Sequence, residues 1–520
     1  MQGASEQDRA SGVVETLRSL VFAFVLAMTF RGFVVEGFVI PTGSMAPTLL
    51  GQHLLKHSDQ TGQDFAVGFS SGRPVNTSRM IDPMLGRNQP LPASEARDFS
   101  PKGGDRVLVL KTLYPFFDPD RFDVVVFKNP TDTQGPSGNY IKRLIGLPGE
   151  TIWIADGDVF AGEDEQSLHV QRKPESVQRA LWRLVHDSDA VPIDRLALDR
   201  VWPGPPWVGR PDGEWTFEDR TWFCESAARS ELVWDHNRLP IDDWLPYNMI
   251  MEGKRSRPVS DVQVAATIVA EDAALTAQFE LQTRGHRFVW SIGDQGGHLA
   301  MELLRGNGPR TEVSFEFGGF EPGQPVRLEC WHVDQTMVVF VNGERTAELW
   351  YDWGPEERLR YATGAGDAPP LSQLAGRWGG APGLRWVFDG SPATIERILV
   401  GRDLHYRSDT IPTRAQKNPT LSGNESLVAI GSPAFGTHPD KLAVLGEDHF
   451  LMAGDNSPYS LDGRLWGNPD PFVAAQLDPS PFVVHRDLLI GKAWSVYWPA
   501  AHRLGNLQIV PDLGNIRFIR

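Results

Sequence analysis

The stretch Ile40-Pro41-Thr42-Gly43-Ser44-Met45-Ala46-Pro47-Thr48-Leu49 follows directly on the only long apolar run in the chain. Pro41, Gly43 and Pro47 rule out a regular helix or strand interior and impose a turn-rich, extended path. That path carries one small hydroxyl, Ser44, beside a glycine. A serine so placed can present its Oγ while neighbouring backbone N–H groups stay free, which a nucleophile with an oxyanion hole requires. The competing reading of these ten residues alone is a Pro/Gly loop leaving a membrane anchor.

Outward from this stretch, the preceding run decides the topology. Residues 1–12 are polar and read as a disordered N-terminus; from Val13 the chain turns apolar. Arg18 and Arg31 bracket the uncharged segment Ser19–Phe30, short of the roughly 20 residues that cross a bilayer. Snorkelling of both arginines extends the usable span to about 13–35. Arg9 and Arg18 favour a cytoplasmic N-terminus, leaving the bulk of the chain outside the cytoplasm. A small-x-small cleavage site is missing after the run, so the reading is an uncleaved anchor rather than a signal peptide.

Downstream, 51–100 reads as a polar loop or small excursion. Gly104–Leu110 reads as a turn and a strand, Arg121–Lys128 as a second strand and Tyr140–Glu150 as a third running into a turn, and Thr151–Ala155 with Asp156-Gly157-Asp158 begins a hairpin. After Phe160 the composition changes. Glu175–Leu184 has helical spacing, and from Trp202 to about Leu404 short strands alternate with Gly, Asp and Pro. The clearest are Val262–Val269, Ala277–Gln282, Phe288–Ile292, Glu312–Phe317, Val326–His332 and Met337–Val341, the last running into an Asn342-Gly343 hairpin turn. Such a run suggests an antiparallel sandwich, and the Met337–Leu349 hairpin resembles a piece of laminin-G or concanavalin-like jelly rolls. The character of the first β block returns near 425 and ends in an apolar strand, Leu488–Trp498. The fold class is mainly β. One β domain, 36–160 plus 425–500, is interrupted by an insert at 161–424 (sandwich core 202–404), and 501–520 is a tail.

Composition bounds the function. At 520 residues the chain holds two to four domains. The net charge of -16 excludes a nucleic-acid partner, which needs a basic stripe. Two cysteines, Cys224 and Cys330, exclude a disulfide scaffold and a Cys-based zinc site, and are compatible with one disulfide or two buried thiols. The histidines show no metal-binding spacing, so neither metal nor cofactor is expected. Most of the 17 Trp lie between Trp182 and Trp386, in number enough for core packing and for ligand stacking.

A serine needs a base, and no histidine sits in a convincing motif. A lysine can serve if burial keeps it neutral. Strand alternation puts Tyr140, Lys142 and Leu144 on one face, which favours burial of Lys142. Lys128, on a face with Val124 and Val126, is a rival that pattern alone does not eliminate. In the turn-rich 454–467, Ser460 can orient a base, and Asp462 and Arg464 are spaced to pair.

These clusters, in this order, resemble the type I signal peptidases, membrane-anchored Ser/Lys proteases. The resemblance rests on IPTGSMAPTL, GDRVLVLK, FDVVVFKNP, YIKRLIGLPGE, GDNSPYSLDGRLWG and IGKAWSVYWP and covers about a third of the chain. It implies Ser44 as nucleophile, Lys142 rather than Lys128 as base, and Thr42 with the Ser44 N–H as oxyanion donors. It further implies Ser460 as the residue orienting Lys142, and Asp455, Asp462 and Arg464 as braces. Phe38, Ile40, Met45, Leu49, Tyr140 and Ile141 would line shallow apolar substrate pockets. The implied activity is cleavage of signal peptides from secretory preproteins, on the outer side of a bacterial cytoplasmic membrane. Ser457-Pro458-Tyr459 and Gly463 depart from the family's usual pattern in the last turn. The insert is left for a glycan or protein ligand, and a non-catalytic anchored protein displaying that sandwich is the rival function. A self-cleaving soluble Ser/Lys regulator suits neither the anchor nor the charge.

Overall fold

The computed structural model describes residues 4–69, 80–86, 100–132, 138–192, 202–250, 254–304, 309–413, 427–500, 502–504, 507–510 and 513–520. The expected boundary at 424/425 lies outside them. The chain opens on one 30-residue helix, Ala4–Phe33. Residues 4–12, where disorder was expected, belong to this helix; residues 1–3 lie outside the described residues. Ala, Glu, Gln and Arg are good helix formers, and extending an existing helix avoids the cost of nucleation. Among the described residues no helix is long and apolar enough to cross a membrane.

The helix runs straight into an antiparallel sheet. Its strand order is Val35–Val39, Arg106–Leu110, Leu489–Trp498, Val124–Lys128, Asn139–Gly146, His449–Ala453 and Val484–His485. Residues from both ends of the chain therefore share one sheet, with Leu489–Trp498 between two N-terminal strands. The expected tail is partly tied back, because Arg517 and Phe518 pair with Val496 and Ser495. Val125 faces Lys142 and Val124 faces Arg143 in register, so both basic residues lie in a central strand and are buried. A second sheet holds the hairpin Thr151–Ala155/Asp158–Gly162, turned through Asp156 and Gly157. Both have positive φ, 48° and 94°, as a two-residue turn of this hand requires. Residues 51–100 are more than a loop: His53–His57, Asp64–Gly68 and Ser100–Lys102 form a three-stranded sheet.

The material between the two halves contains an eight-stranded and a seven-stranded antiparallel sheet. All six strands read most clearly from sequence agree with the observed ones to within two residues at each end, the one expected at Glu312–Phe317 forming at Thr311–Phe315. One apolar core draws on both sheets, including Val264, Ile268 and Leu328 from the first and Phe279, Trp290 and Trp386 from the second. Trp207, Trp290 and Trp386 are wholly enclosed. The Trp abundance is thus mostly core packing, with only Trp350 and Trp378 largely exposed among the described tryptophans of the insert. Cys224 and Cys330 are unpaired thiols inside this core. Trp386→Ala is expected to cost about 3–5 kcal/mol, read as an earlier denaturant transition of these two sheets.

Candidate active site

The site forms where the Ser44 loop crosses the central strand Asn139–Gly146. The Ile40 N–H donates to Asp105 O at 2.8 Å and the Leu50 N–H to Asp105 Oδ2 at 3.0 Å, so one aspartate pins both ends of the loop. Lys142 Nζ lies 2.6 Å from Ser44 Oγ, hydrogen-bonded to it, and donates to Ile141 O at 3.0 Å. Lys142 is 2% exposed, and its pKa is lowered from 10.5 to about 8. Burial is the dominant cause, with Arg464 acting in the same direction against the pull of Asp462 and Asp455. A neutral amine at this position can accept the serine proton.

The two carboxylates near the pair are already committed. Arg143 donates to Asp455 through Nε and Nη2, each at 2.8 Å. Arg464 does the same to Asp462, Nε to Oδ1 at 2.9 Å and Nη2 to Oδ2 at 2.8 Å. Burial pushes both carboxyls up, but their arginines bring them below the usual carboxylate range. Asp462 also accepts the Gly454 N–H at 2.8 Å, and Asp455 accepts the Thr48 hydroxyl. Arg464 Nη1 then reaches Ser457 Oγ at 2.8 Å, which braces the turn 457–464 despite its departures from the family pattern. Ser460 is 1% exposed, and its Oγ finds no partner of regular hydrogen-bond geometry, although it helps hold the Asp462 carboxyl down. A bond between Ser460 and Lys142 is not formed. Gly454 lets the two loops approach, since a Cβ there would fall 2.2 Å from Ser460 Oγ and 2.5 Å from Ser44 O.

The other sequence candidates divide. Thr42 stands exposed two residues before Ser44. Phe38, Tyr140 and Ile141 are half-buried and keep surface to offer a substrate. Ile40, Met45 and Leu49 are core residues, at 3%, 0% and 0% exposure, so their expected place in a substrate pocket is corrected: they pack under the loop against Val107 and Val126. Sequence reasoning missed Arg143, whose signal was a second basic residue next to Lys142 on the opposite strand face. It also missed Arg183, which donates to Thr48 Oγ1 at 2.7 Å, and Asn456, which holds Gly43 O at 2.9 Å. No local pattern marked Arg183.

For metal binding, carboxylate oxygens of Asp158, Asp334 and Asp403 lie within 4.8 Å of one another. The Lys173 ammonium sits among them, 2.5 Å from Asp334 and 3.0 Å from Asp403, and supplies the cation itself.

The family model described as "Signal peptidase, peptidase S26" matches residues 94–196. A signal peptidase I of Leptolyngbya laminosa is 30% identical over 181 residues, 34% of this chain and 63% of the relative. One of Pseudomonas fluorescens is 26% identical over 243 residues, 44% of this chain and 66% of the relative. The chain thus spans just under two thirds of the length of these relatives. Among solved structures, a carbohydrate-binding module of Bacillus subtilis matches at 8% identity, 38% of this chain and 95% of that one. Its TM-score of 0.23 is too low to carry an argument.

Arg143→Met is expected to leave Asp455 buried without its fork and to cost about 3–5 kcal/mol. Adding Asp455→Leu should recover much of that loss, as chemical denaturation of the two single variants and the double variant would show.

Proposed function

We infer that this relative of the type I signal peptidases is itself a serine endopeptidase that removes signal peptides from secretory preproteins, with Ser44 as nucleophile and Lys142 as general base. The observation that carries the reading is the 2.6 Å contact between Ser44 Oγ and a buried lysine whose pKa is lowered to about 8. Neutral Lys142 takes the Ser44 proton as Oγ attacks the scissile carbonyl. The Thr42 hydroxyl and the Ser44 N–H steady the oxyanion. The Lys142 ammonium then returns its proton to the leaving amine, and an acyl ester remains on Ser44. Lys142 next deprotonates a water that hydrolyses the ester, which frees the serine. Ser460 orients the lysine through these steps, when its unpartnered hydroxyl turns to the ammonium. Phe38, Tyr140 and Ile141 contact an extended peptide with small residues before its cleavage point.

The helix supports a membrane location. Leu20, Phe22, Phe24 and Leu26 are 60–69% exposed, so apolar surface faces outward all round it. With Arg18 snorkelling, it anchors the chain once in a bacterial cytoplasmic membrane. The strand Val35–Val39 starts two residues after the helix and holds Ser44 close to the outer surface, where the apolar segment of a preprotein also lies. The two facing sheets of the insert form a laminin-G-like sandwich, and a glycan ligand stacking on it would have to use Trp350 or Trp378.

Ser44→Ala, Lys142→Ala and Lys142→Arg are each expected to lower preprotein processing by at least about 10³-fold with the fold retained, since arginine stays charged. Appreciable cleavage by any of the three purified proteins would refute the dyad. In the active protein, kcat/KM should rise with pH as Lys142 loses its proton and level off above about 8. A profile flat from pH 6 to 9 would exclude Lys142 as the base. A chain starting at Glu36 should leave the membrane fraction on cell lysis; retention there would assign the attachment to another surface.

A further inference from the structure

A short segment of the insert reaches the nucleophile. The turn Pro246–Asn248 leaves the sandwich region and packs on the strand Asp64–Gly68. The Tyr247 ring fills the space between two glycines of the peptidase half. A Cβ at Gly43 would fall 2.0 Å from Tyr247 Cε1, and one at Gly68 would fall 2.2 Å from it. The Tyr247 hydroxyl donates to Gln52 O at 3.0 Å.

Next to it, Asn248 and Asn456 exchange a pair of amide hydrogen bonds. Asn248 Nδ2 donates to Asn456 Oδ1 at 2.7 Å, and Asn456 Nδ2 donates to Asn248 Oδ1 at 2.8 Å. The other Nδ2 proton of Asn456 goes to Gly43 O at 2.9 Å, and the Asn456 backbone N–H goes to Ser44 O at 3.1 Å. Tyr247, Asn248 and Asn456 are all buried, at 3%, 6% and 0% exposure. With its oxygen and one proton claimed by Asn248, the Asn456 amide cannot flip. Its remaining proton is therefore fixed on the carbonyl of the residue before the nucleophile.

We propose that Tyr247 and Asn248 are positioning residues for Ser44: the insert locks the nucleophile loop through the ring on Gly43 and the Asn248–Asn456 amide pair. The insert is then part of the catalytic centre rather than a spacer. Arg183, another residue of the insert, grips the other side of the loop at Thr48. The inference rests on reading Ser44 and Lys142 as nucleophile and base, because only then does the loop's geometry set a rate.

The test has two arms on the full chain. In the first, preprotein processing is measured for Asn248→Ala, Tyr247→Ala and Tyr247→Phe. A misplaced nucleophile should lower kcat about 10- to 100-fold in the two alanine variants with KM little changed. Tyr247→Phe keeps the ring and should stay within about threefold of the parent. The second arm needs no peptidase activity. A Ser44→Cys protein is alkylated with iodoacetamide across pH; Cys224 and Cys330, 4% and 1% exposed, do not compete. Lys142 beside the introduced thiol should hold its midpoint below the ordinary value of about 8.5. Adding Asn248→Ala should move that midpoint towards the ordinary value. Asn248→Asp, close to isosteric, should move it the same way if the alanine variant does not fold, because it sets an oxygen against Asn456 Oδ1. Unchanged kcat and an unchanged midpoint in folded variants, with only a lower melting temperature, would overturn the proposal. If the parent cleaves no preprotein, the peptidase reading fails, and the thiol midpoint still decides the positioning.

Discussion

The site depends on how its buried charges are paired off. A lysine enclosed beside two carboxylates would normally stay protonated, since either one stabilises the ammonium. Here both carboxylates have partners of their own. Arg143 takes Asp455 and Arg464 takes Asp462, each with a two-pronged fork. Lys142 is left with two neutral oxygens, Ser44 Oγ and Ile141 O. Burial then outweighs the residual attraction of the aspartates, and the amine is held near the pH at which a base is useful. The two forks matter to the chemistry because they keep the carboxylates away from the lysine while bracing the turn that encloses it.

The same pairing of charges joins the insert to the rest. Arg358 bonds Asp158 of the hairpin at 2.6 Å, and Arg284 bonds Asp156 at 2.7 Å and Asp261 at 2.6 Å. On the side nearer the site, Arg407 pairs with Asp243, and its backbone N–H donates to Ser457 Oγ at 2.8 Å. Pairs enclosed in this way are costly to break singly. The two-sheet insert is consequently tied to the half that carries Ser44 at several points, and the turn Pro246–Asn248 is among the parts held there.

Much of this was legible in the sequence. Ser44 stood out as a candidate because proline and glycine deny its loop a regular structure; Lys142 lay on an apolar strand face, but Lys128 did too, and only the family resemblance chose between them. Asp462 and Arg464 could be read from their spacing. The Asn342-Gly343 and Asp156-Gly157 turns announced their hairpins because few residues tolerate positive φ. What escaped was long-range. Asn248 and Asn456 are 208 positions apart, and nothing local distinguishes Asn248 from any turn asparagine. Met45 and Leu49 read as pocket residues because an apolar side chain near a nucleophile suits a substrate as well as a core. Only the sheet beneath the loop decides between the two. The 51–100 segment hid a small sheet because its strands are short and separated by polar chain.

The central claim is that burial lowers the Lys142 ammonium far enough for a usable fraction to be neutral near physiological pH, and direct titration of its side chain tests it most closely. Lysine labelled with ¹³C at Cε would be followed by NMR across pH, with the Lys142 resonance assigned by its loss in Lys142→Met. The account predicts a midpoint at about 8. A midpoint near the ordinary lysine value of about 10.4 would contradict it.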